Sequence, residues 1–196
     1  MNRIITTLIG LMLAAAVHAQ EAPDALIKRV AGDVIATLKS DKDLAAGNKQ
    51  KLYSFVESKI ATNFDFTRMT ALAMGRNWQK ATPEQQKQIA DEFKTLLVRT
   101  YSGALANYRN NTIDYKPVQA KANETDTVVR TQVLQPAGQP IPIDYSVTKT
   151  PEGWKAYDIT VGGVSLVTNY REEFNTIIRD KGVDGLVREL AAKNKA

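Results

Sequence analysis

The chain has 196 residues, a net charge of +5, a mean hydropathy of −0.30, no cysteine and a single histidine. This length suits one compact domain, and the charge is far below the density of basic residues expected of a nucleic-acid-binding protein. Because cysteine is absent, the chain forms no disulfide bonds and performs no thiol chemistry.

The first 19 residues have the pattern of a secretory signal peptide. Arg3 supplies a positive start, and residues 4–17 are almost wholly apolar. Val17 and Ala19 place small residues at positions −3 and −1 of a cleavage site before Gln20. A membrane anchor is the alternative, but the apolar stretch is shorter than the roughly 20 residues of a spanning helix. We therefore predict cleavage and secretion.

Cleavage limits the chemistry available to the mature domain, residues 20–196. The only histidine, His18, leaves with the signal peptide, and Arg3 is the one charged residue lost, so the net charge falls by one to +4. Without His or Cys, Ser-His-Asp catalysis, Cys-His catalysis and zinc sites with nitrogen or sulfur ligands are excluded. We predict no catalytic residue, no metal site and no cofactor, although a carboxylate or lysine mechanism stays open.

Helical patterns fill residues 22–109. Apolar residues recur at spacings of three and four, Gly75 ends one segment, and Thr82-Pro83-Glu84-Gln85 forms a capping box that opens the longest one. The predicted helices cover residues 23–38, 49–62, 65–74 and 83–108.

The pattern changes to that of β-strands over residues 112–161. Strands are predicted at residues 112–118, 125–134, 141–147 and 154–161. Helices return over residues 164–194, with a stop at Gly182. Helices, then an antiparallel meander, then helices indicate an α+β fold with a four-stranded sheet, not the alternation of a parallel sheet.

Four ordered motifs resemble a known family. They are Gly75-Arg76-Asn77-Trp78, the segment from Gly153 to Ile159, Gly163-Val164-Ser165-Leu166, and the segment from Lys181 to Leu186. With Ala81-Thr82-Pro83 and the long helix after it, Asn169-Tyr170-Arg171 and Leu190, the matches cover essentially all of the mature chain in order. The chain resembles the Mla (toluene-tolerance) family of periplasmic phospholipid carriers, auxiliary components of ABC transporters. Gly162 departs from relatives that carry an acidic residue there.

The resemblance implies a fold and a function. The fold is a curved sheet, related to the nuclear-transport-factor-like roll, packed with helices that enclose an apolar cavity. The cargo is phospholipid, carried between an outer-membrane lipoprotein–porin complex and an inner-membrane ABC transporter with Mce domains. This transport maintains the lipid asymmetry of the outer membrane. A shuttle of this kind is expected to be a monomer, because it must leave each membrane complex.

Candidate cavity residues share faces that are more apolar than a thin domain needs. They are Tyr101, Leu105 and Tyr108 on the long helix, Val129, Thr131 and Val133 on the second strand, Ile143, Tyr145 and Val147 on the third, Trp154 on the fourth, and Val164 and Leu166 after the double glycine. For any single position ordinary core packing is the simpler explanation. The prediction of a lipid-binding cavity therefore depends mainly on the family.

A stretch free of acidic residues contains Arg68, Arg76 and Lys80. These cations can contact a lipid headgroup, an anionic membrane or an acidic partner, and the alternative is a solvated face.

Asp158 lies in a mostly apolar strand. A roll-shaped enzyme would use it as a base, but a bond to the backbone around Gly163–Ser165 is the simpler prediction. The third hypothesis is a non-catalytic envelope adaptor with a filled core.

Overall fold

The computed structural model describes residues 21–118, 123–135 and 138–195. The predicted signal peptide, residues 1–19, lies outside the described residues. The α-helices of the described ranges are α1 (Pro23–Ser40), α2 (Lys42–Ala45), α3 (Lys49–Phe55), α4 (Phe66–Met74), α5 (Pro83–Ser102) and α6 (Leu166–Lys195). None of the helices in these ranges is both long and apolar enough to cross a membrane.

One antiparallel sheet follows the first five helices. Its strands are β1 (Thr112–Tyr115), β2 (Asp126–Leu134), β3 (Ile141–Thr150), β4 (Gly153–Val161) and β5 (Val164–Ser165), paired in chain order. The α+β meander is confirmed, but the prediction of four strands is wrong, because the described sheet has five. At Gly162 and Gly163 φ is 58° and 88°, and a tight hairpin turn needs positive φ at both positions. The chain therefore forms a short fifth strand before its last helix.

Irregular helical turns interrupt two of the predicted helices. The second continues beyond α3 as a π-helical segment (Val56–Ile60) and a 3-10 turn (Ala61–Asn63). The long helix changes at Gly103 into a 3-10 segment (Gly103–Tyr108). The capping box at the start of α5 is present as predicted. Gly182, with φ 71° and ψ −179°, kinks α6 where the sequence predicts a stop.

An aromatic cluster joins α5 to α6. Phe93 lies with its ring centroid 4.9 Å from those of Tyr170 and Phe174, both in edge-to-face geometry. Phe93 and Phe174 are completely buried. Met69 and Met74 of α4 belong to the same core. Edge-to-face aromatic pairs add to the free energy of burial, so this cluster fixes α4, α5 and α6 against one another.

The first helix belongs to two separate cores. Near its start Ile27 packs on the sheet residues Val129 and Val147. Further along, Val34 and Leu38 pack with side chains of α2 and α3. Because each end of α1 has its own core, the helix is held across a gap between the helices and the sheet.

A bulge in β4 sets which side chains face the helices. Ser146 is opposite Asp158 whereas Val147 is opposite Ala156, so Tyr157 has no partner on β3. An extra residue of this kind shifts the alternation of the strand by one position. Ala156 and Ile159 consequently lie on the same face of the sheet, although they are three residues apart.

The start of α6 is capped from two directions. The Ser165 hydroxyl accepts a hydrogen bond from the Thr168 amide at 3.0 Å, and the Asp158 carboxylate accepts one from the Val167 amide at 3.1 Å. Ser165 also donates to Asp158 at 2.6 Å. These contacts satisfy amides that have no partner inside the helix, so Asp158 joins α6 to β4.

Truncation of the aromatic cluster should cost far more stability than truncation of an exposed apolar side chain. We expect Phe174→Ala to lower the free energy of unfolding by about 3–5 kcal/mol, because a buried ring leaves a cavity that its neighbours fill only in part. Val164→Ala is the control, since Val164 is exposed. Urea denaturation of the delipidated variants measures both, and similar losses would contradict the assignment of this core.

Removal of the Asp158 carboxylate should loosen the start of α6. We expect Asp158→Ala to cost about 1–2 kcal/mol of unfolding free energy, the range for the loss of a helix cap. Hydrogen exchange at the Val167 and Thr168 amides should rise in parallel. Unchanged exchange at these two amides would show that the cap does not stabilise the helix.

Candidate functional site

An apolar pocket lies between the helices and the inward face of the sheet. Its volume is about 300 Å³. Among the described residues that line it, none is Asp, Glu, Lys or Arg, and the polar side chains are those of Asn63, Ser102, Asn111 and three tyrosines. Such a lining excludes charge chemistry inside the pocket and favours an apolar ligand.

Seven of the twelve predicted cavity residues line this pocket. They are Tyr101, Leu105, Tyr108, Val133, Ile143, Tyr145 and Leu166. Four elements supply them: the end of α5 with the 3-10 segment that follows, β2, β3 and the first residue of α6. Side chains far apart in the sequence therefore meet around one space.

The other five lie outside the pocket lining for different reasons. Val129 and Val147 point to the expected face, but Ile27 of α1 covers them, and Trp154 packs against the same cluster. Thr131 is buried and donates its hydroxyl to the Ile143 carbonyl at 2.8 Å. Val164 is exposed at the tip of the β4–β5 hairpin.

Much of the helical wall was not predicted from the sequence. The additional residues are Leu26, Ile27, Val30, Ala31, Val34 and Ile35 on α1, Val56 and Ile60 on the π-helical segment, and Phe64, Phe66 and Met69 around the start of α4. The sequence did contain a signal that α1 lines a pocket. Its apolar residues form two rows, more than a helix needs to pack on one layer. The π-helical wall had no such signal.

Tyrosine hydroxyls supply part of the polarity in and beside the pocket. Burial raises the pKa of Tyr145 to about 12, with a further contribution from Tyr115. Burial also raises the pKa of Tyr170, and the neighbouring Tyr101 adds to that shift. These hydroxyls therefore stay neutral at physiological pH, and they can donate hydrogen bonds without placing charge near an apolar ligand.

The three predicted surface cations have separate roles. Arg68 forms an ion pair with Asp126 at 2.6 Å, donates to the Thr148 hydroxyl at 2.6 Å, and lies 4.0 Å above the Tyr157 ring. These partners belong to β2, β3 and β4, so Arg68 fastens α4 to the sheet.

Arg76 and Lys80 instead line a surface recess of about 620 Å³, together with Arg171. Lys80 donates to Asn77 at 3.0 Å, and Asn77 donates to Asn175 at 3.0 Å. The residues that line the recess include three cations and no carboxylate. The recess shares no lining residue with the apolar pocket.

Asp158 does not line the pocket either. Both its oxygens accept hydrogen bonds at the start of α6, which is the structural alternative that the sequence favoured. The geometry needed for a catalytic base in a polar pocket is therefore not present at this residue. The described residues contain no group of His, Cys, Asp and Glu that could hold a metal ion.

Comparisons with known proteins give a consistent family. The family model described as MlaC protein matches residues 28–192. The toluene tolerance protein ttg2D of Pseudomonas putida is 24% identical over 185 residues, which cover 91% of this chain and 86% of that protein. The intermembrane phospholipid transport system binding protein MlaC of Haemophilus influenzae is 20% identical over 175 residues, which cover 88% of this chain and 82% of that protein.

A solved structure has a similar fold. It is the phospholipid-binding protein from Ralstonia solanacearum in complex with a phospholipid, with a TM-score of 0.82 and 49% sequence identity. The match covers 90% of this chain and 98% of that one. The resemblance expected from the ordered motifs is thus confirmed, and this chain belongs to the MlaC protein family.

Proposed function

We propose that this protein is a periplasmic phospholipid carrier that holds acyl chains in the apolar pocket and leaves the headgroup near solvent. The observation that carries the proposal is a pocket whose described lining has no charged side chain. A relative with 49% identity, determined with a bound phospholipid, supports the same ligand class. We also propose that the five-stranded meander forms the expected nuclear-transport-factor-like roll, and we assign acyl contact to the seven predicted residues that line the pocket.

The energetics show which cost a lipid-binding pocket has to offset. Two acyl chains carry about 30 methylene groups, and each costs roughly 0.8 kcal/mol to expose, so the barrier to crossing water unaided is on the order of 20 kcal/mol. An apolar lining lowers this cost without forming or breaking any bond. No catalytic residue, metal or cofactor is needed for the step.

The proposed route connects the two membranes. The carrier exchanges lipid with an outer-membrane lipoprotein–porin complex and with an inner-membrane ABC transporter bearing Mce domains, and so maintains outer-membrane lipid asymmetry. Membership of the MlaC family supports these partners. We expect a monomer, because the carrier must leave each complex to reach the other.

We assign the basic recess to partner contact and not to the headgroup. Arg76, Lys80 and Arg171 lie around a concave surface, and the recess shares no residue with the apolar pocket. We therefore expect a lipid whose chains lie in that pocket to present its phosphate to solvent elsewhere. An acidic surface on a membrane complex has the complementary charge.

Filling the apolar pocket should reduce lipid binding. Ala31 lines the pocket from α1, so we expect Ala31→Trp to lower the affinity for phospholipid at least about tenfold, or about 1.4 kcal/mol. Ala36→Trp is a matched control, because Ala36 is an exposed alanine on the same helix. Native mass spectrometry of the detergent-free proteins measures the lipid bound.

Equal lipid occupancy in the two tryptophan variants would show that the pocket is not the binding site. A bare protein mass for the unmodified chain, with no lipid taken up from vesicles, would instead favour the adaptor hypothesis.

Charge reversal in the basic recess should weaken docking without affecting the cargo. We expect Arg76→Glu with Lys80→Glu to weaken binding to the purified inner- or outer-membrane complex by about tenfold or more, because close charge pairs at an interface carry several kcal/mol. Lipid occupancy should stay at its original level. Lys28→Glu with Lys39→Glu, two exposed positions on α1, is the control. Surface plasmon resonance at two salt concentrations measures the effect, and equal weakening by both pairs would contradict the assignment.

A further inference from the structure

Most of the exposed large apolar side chains meet at one place. The described residues expose four, namely Tyr101 at 40%, Leu134 at 38%, Val161 at 39% and Val164 at 61%. Tyr101 and Val161 both line the apolar pocket, and Val164 is the direct partner of Val161 across the β4–β5 hairpin. Leu134 is separate, since it follows the pocket residue Val133 and so points to the other face of β2.

Contacts through α6 bring Tyr101 to the same area. The side chain of Tyr101 lies beside that of Tyr170 and raises its pKa, after burial the next largest cause of the shift. Tyr170 lies one helical turn after Leu166, which lines the pocket and stands two residues beyond Val164. Residues four apart in a helix share a face, so one face of α6 runs from the neighbour of Tyr101 toward the hairpin, and the exposed apolar residues along this path are Tyr101, Val161 and Val164. We call these three residues the apolar rim.

The apolar rim continues a row of side chains from the interior of the sheet. Thr131 is opposite Ile143, Ile143 is opposite Val161, and Val161 is opposite Val164. Directly opposed residues of antiparallel strands point to the same face. Exposure rises along this row from 2% at Thr131 and 8% at Ile143 to 39% and 61% at the two valines. The apolar face therefore leads without a break from the buried sheet to solvent.

The tip of the hairpin is exposed from Val161 to Val164. Added Cβ atoms at Gly162 and Gly163 would meet nothing within 4 Å. β5 is an edge strand of two residues, a length that itself limits pairing with other chains, and it places an exposed valine at the tip of the hairpin. A single exposed valine needs no explanation, but a pair that extends a ligand pocket does.

We propose that the apolar rim is the portal through which acyl chains enter and leave the pocket. Val161 and Val164 contact the methylene groups of a chain that is partly withdrawn, so fewer of them face water during transfer. Val164 does not line the pocket itself, and it therefore affects the rate of transfer and not the final occupancy. This inference rests on the proposed carrier function.

The test uses transfer kinetics. The mature protein is loaded with a pyrene-labelled phosphatidylethanolamine, and release into excess vesicles of phosphatidylethanolamine and phosphatidylglycerol is followed by stopped flow. Val164→Asp should slow loading and release by about tenfold, while the amount of lipid bound at equilibrium is unchanged. Val164→Leu should transfer at the original rate, and Val164→Ser should fall between the two. Leu134→Asp is the matched control, an equally large charge substitution at an exposed position away from the rim.

The outcomes separate the two proposals. A normal rate for Val164→Asp, or equal slowing by Leu134→Asp, would overturn the portal while leaving the carrier function intact. Failure of the unmodified protein to take up any lipid would overturn the carrier function and the portal with it. Slowing that is confined to the Val164 variants, at constant occupancy, supports the portal.

Discussion

The pocket depends on helices that are each fixed by a core of their own. Protein interiors are close-packed, so helices that packed only on the sheet would close over any apolar space beneath them. Here the aromatic cluster of Phe93, Tyr170 and Phe174 holds α5 and α6, and Leu38 and Leu52 hold α1 to α3. The helices that form the walls of the pocket are therefore fixed by contacts outside it. The apolar space between them can stay open for this reason.

Polar contacts complete this support from the edges. Arg68 links α4 to three strands, and Asp158 links the start of α6 to β4. The sequence made Arg68 a candidate for headgroup or partner contact, because its stretch has no acidic residue, and it made Asp158 a candidate base, because its strand is mostly apolar. In the folded protein each instead positions a helix that bounds the pocket. These two charged residues therefore stabilise the fold, whereas the described residues that line the pocket carry no charge.

The proposed carrier function uses this separation. In this proposal the cargo occupies an uncharged interior, partners contact the recess around Arg76 and Lys80, and lipid transfer takes place at the hairpin beside Val164. Three surfaces with different chemistry can then act in sequence without competing for the same residues. The irregular turns at residues 56–63 and 103–108 border the pocket, and segments of this kind often occur at functional sites.

Local signals in the sequence were sufficient for the α+β order, the capping box at Thr82 and the kink at Gly182, because helix caps and strand alternation depend on near neighbours. The ordered motifs were sufficient for the family. Only the tertiary structure decided which apolar faces line the pocket: Val129 and Val147 have the same pattern as Ile143, but α1 covers the first two and leaves the third accessible. The bulge at Tyr157 and the short fifth strand also lay beyond local prediction. Pairing register and coverage by a distant helix depend on contacts between residues far apart in the chain, and a strand's own sequence does not contain them.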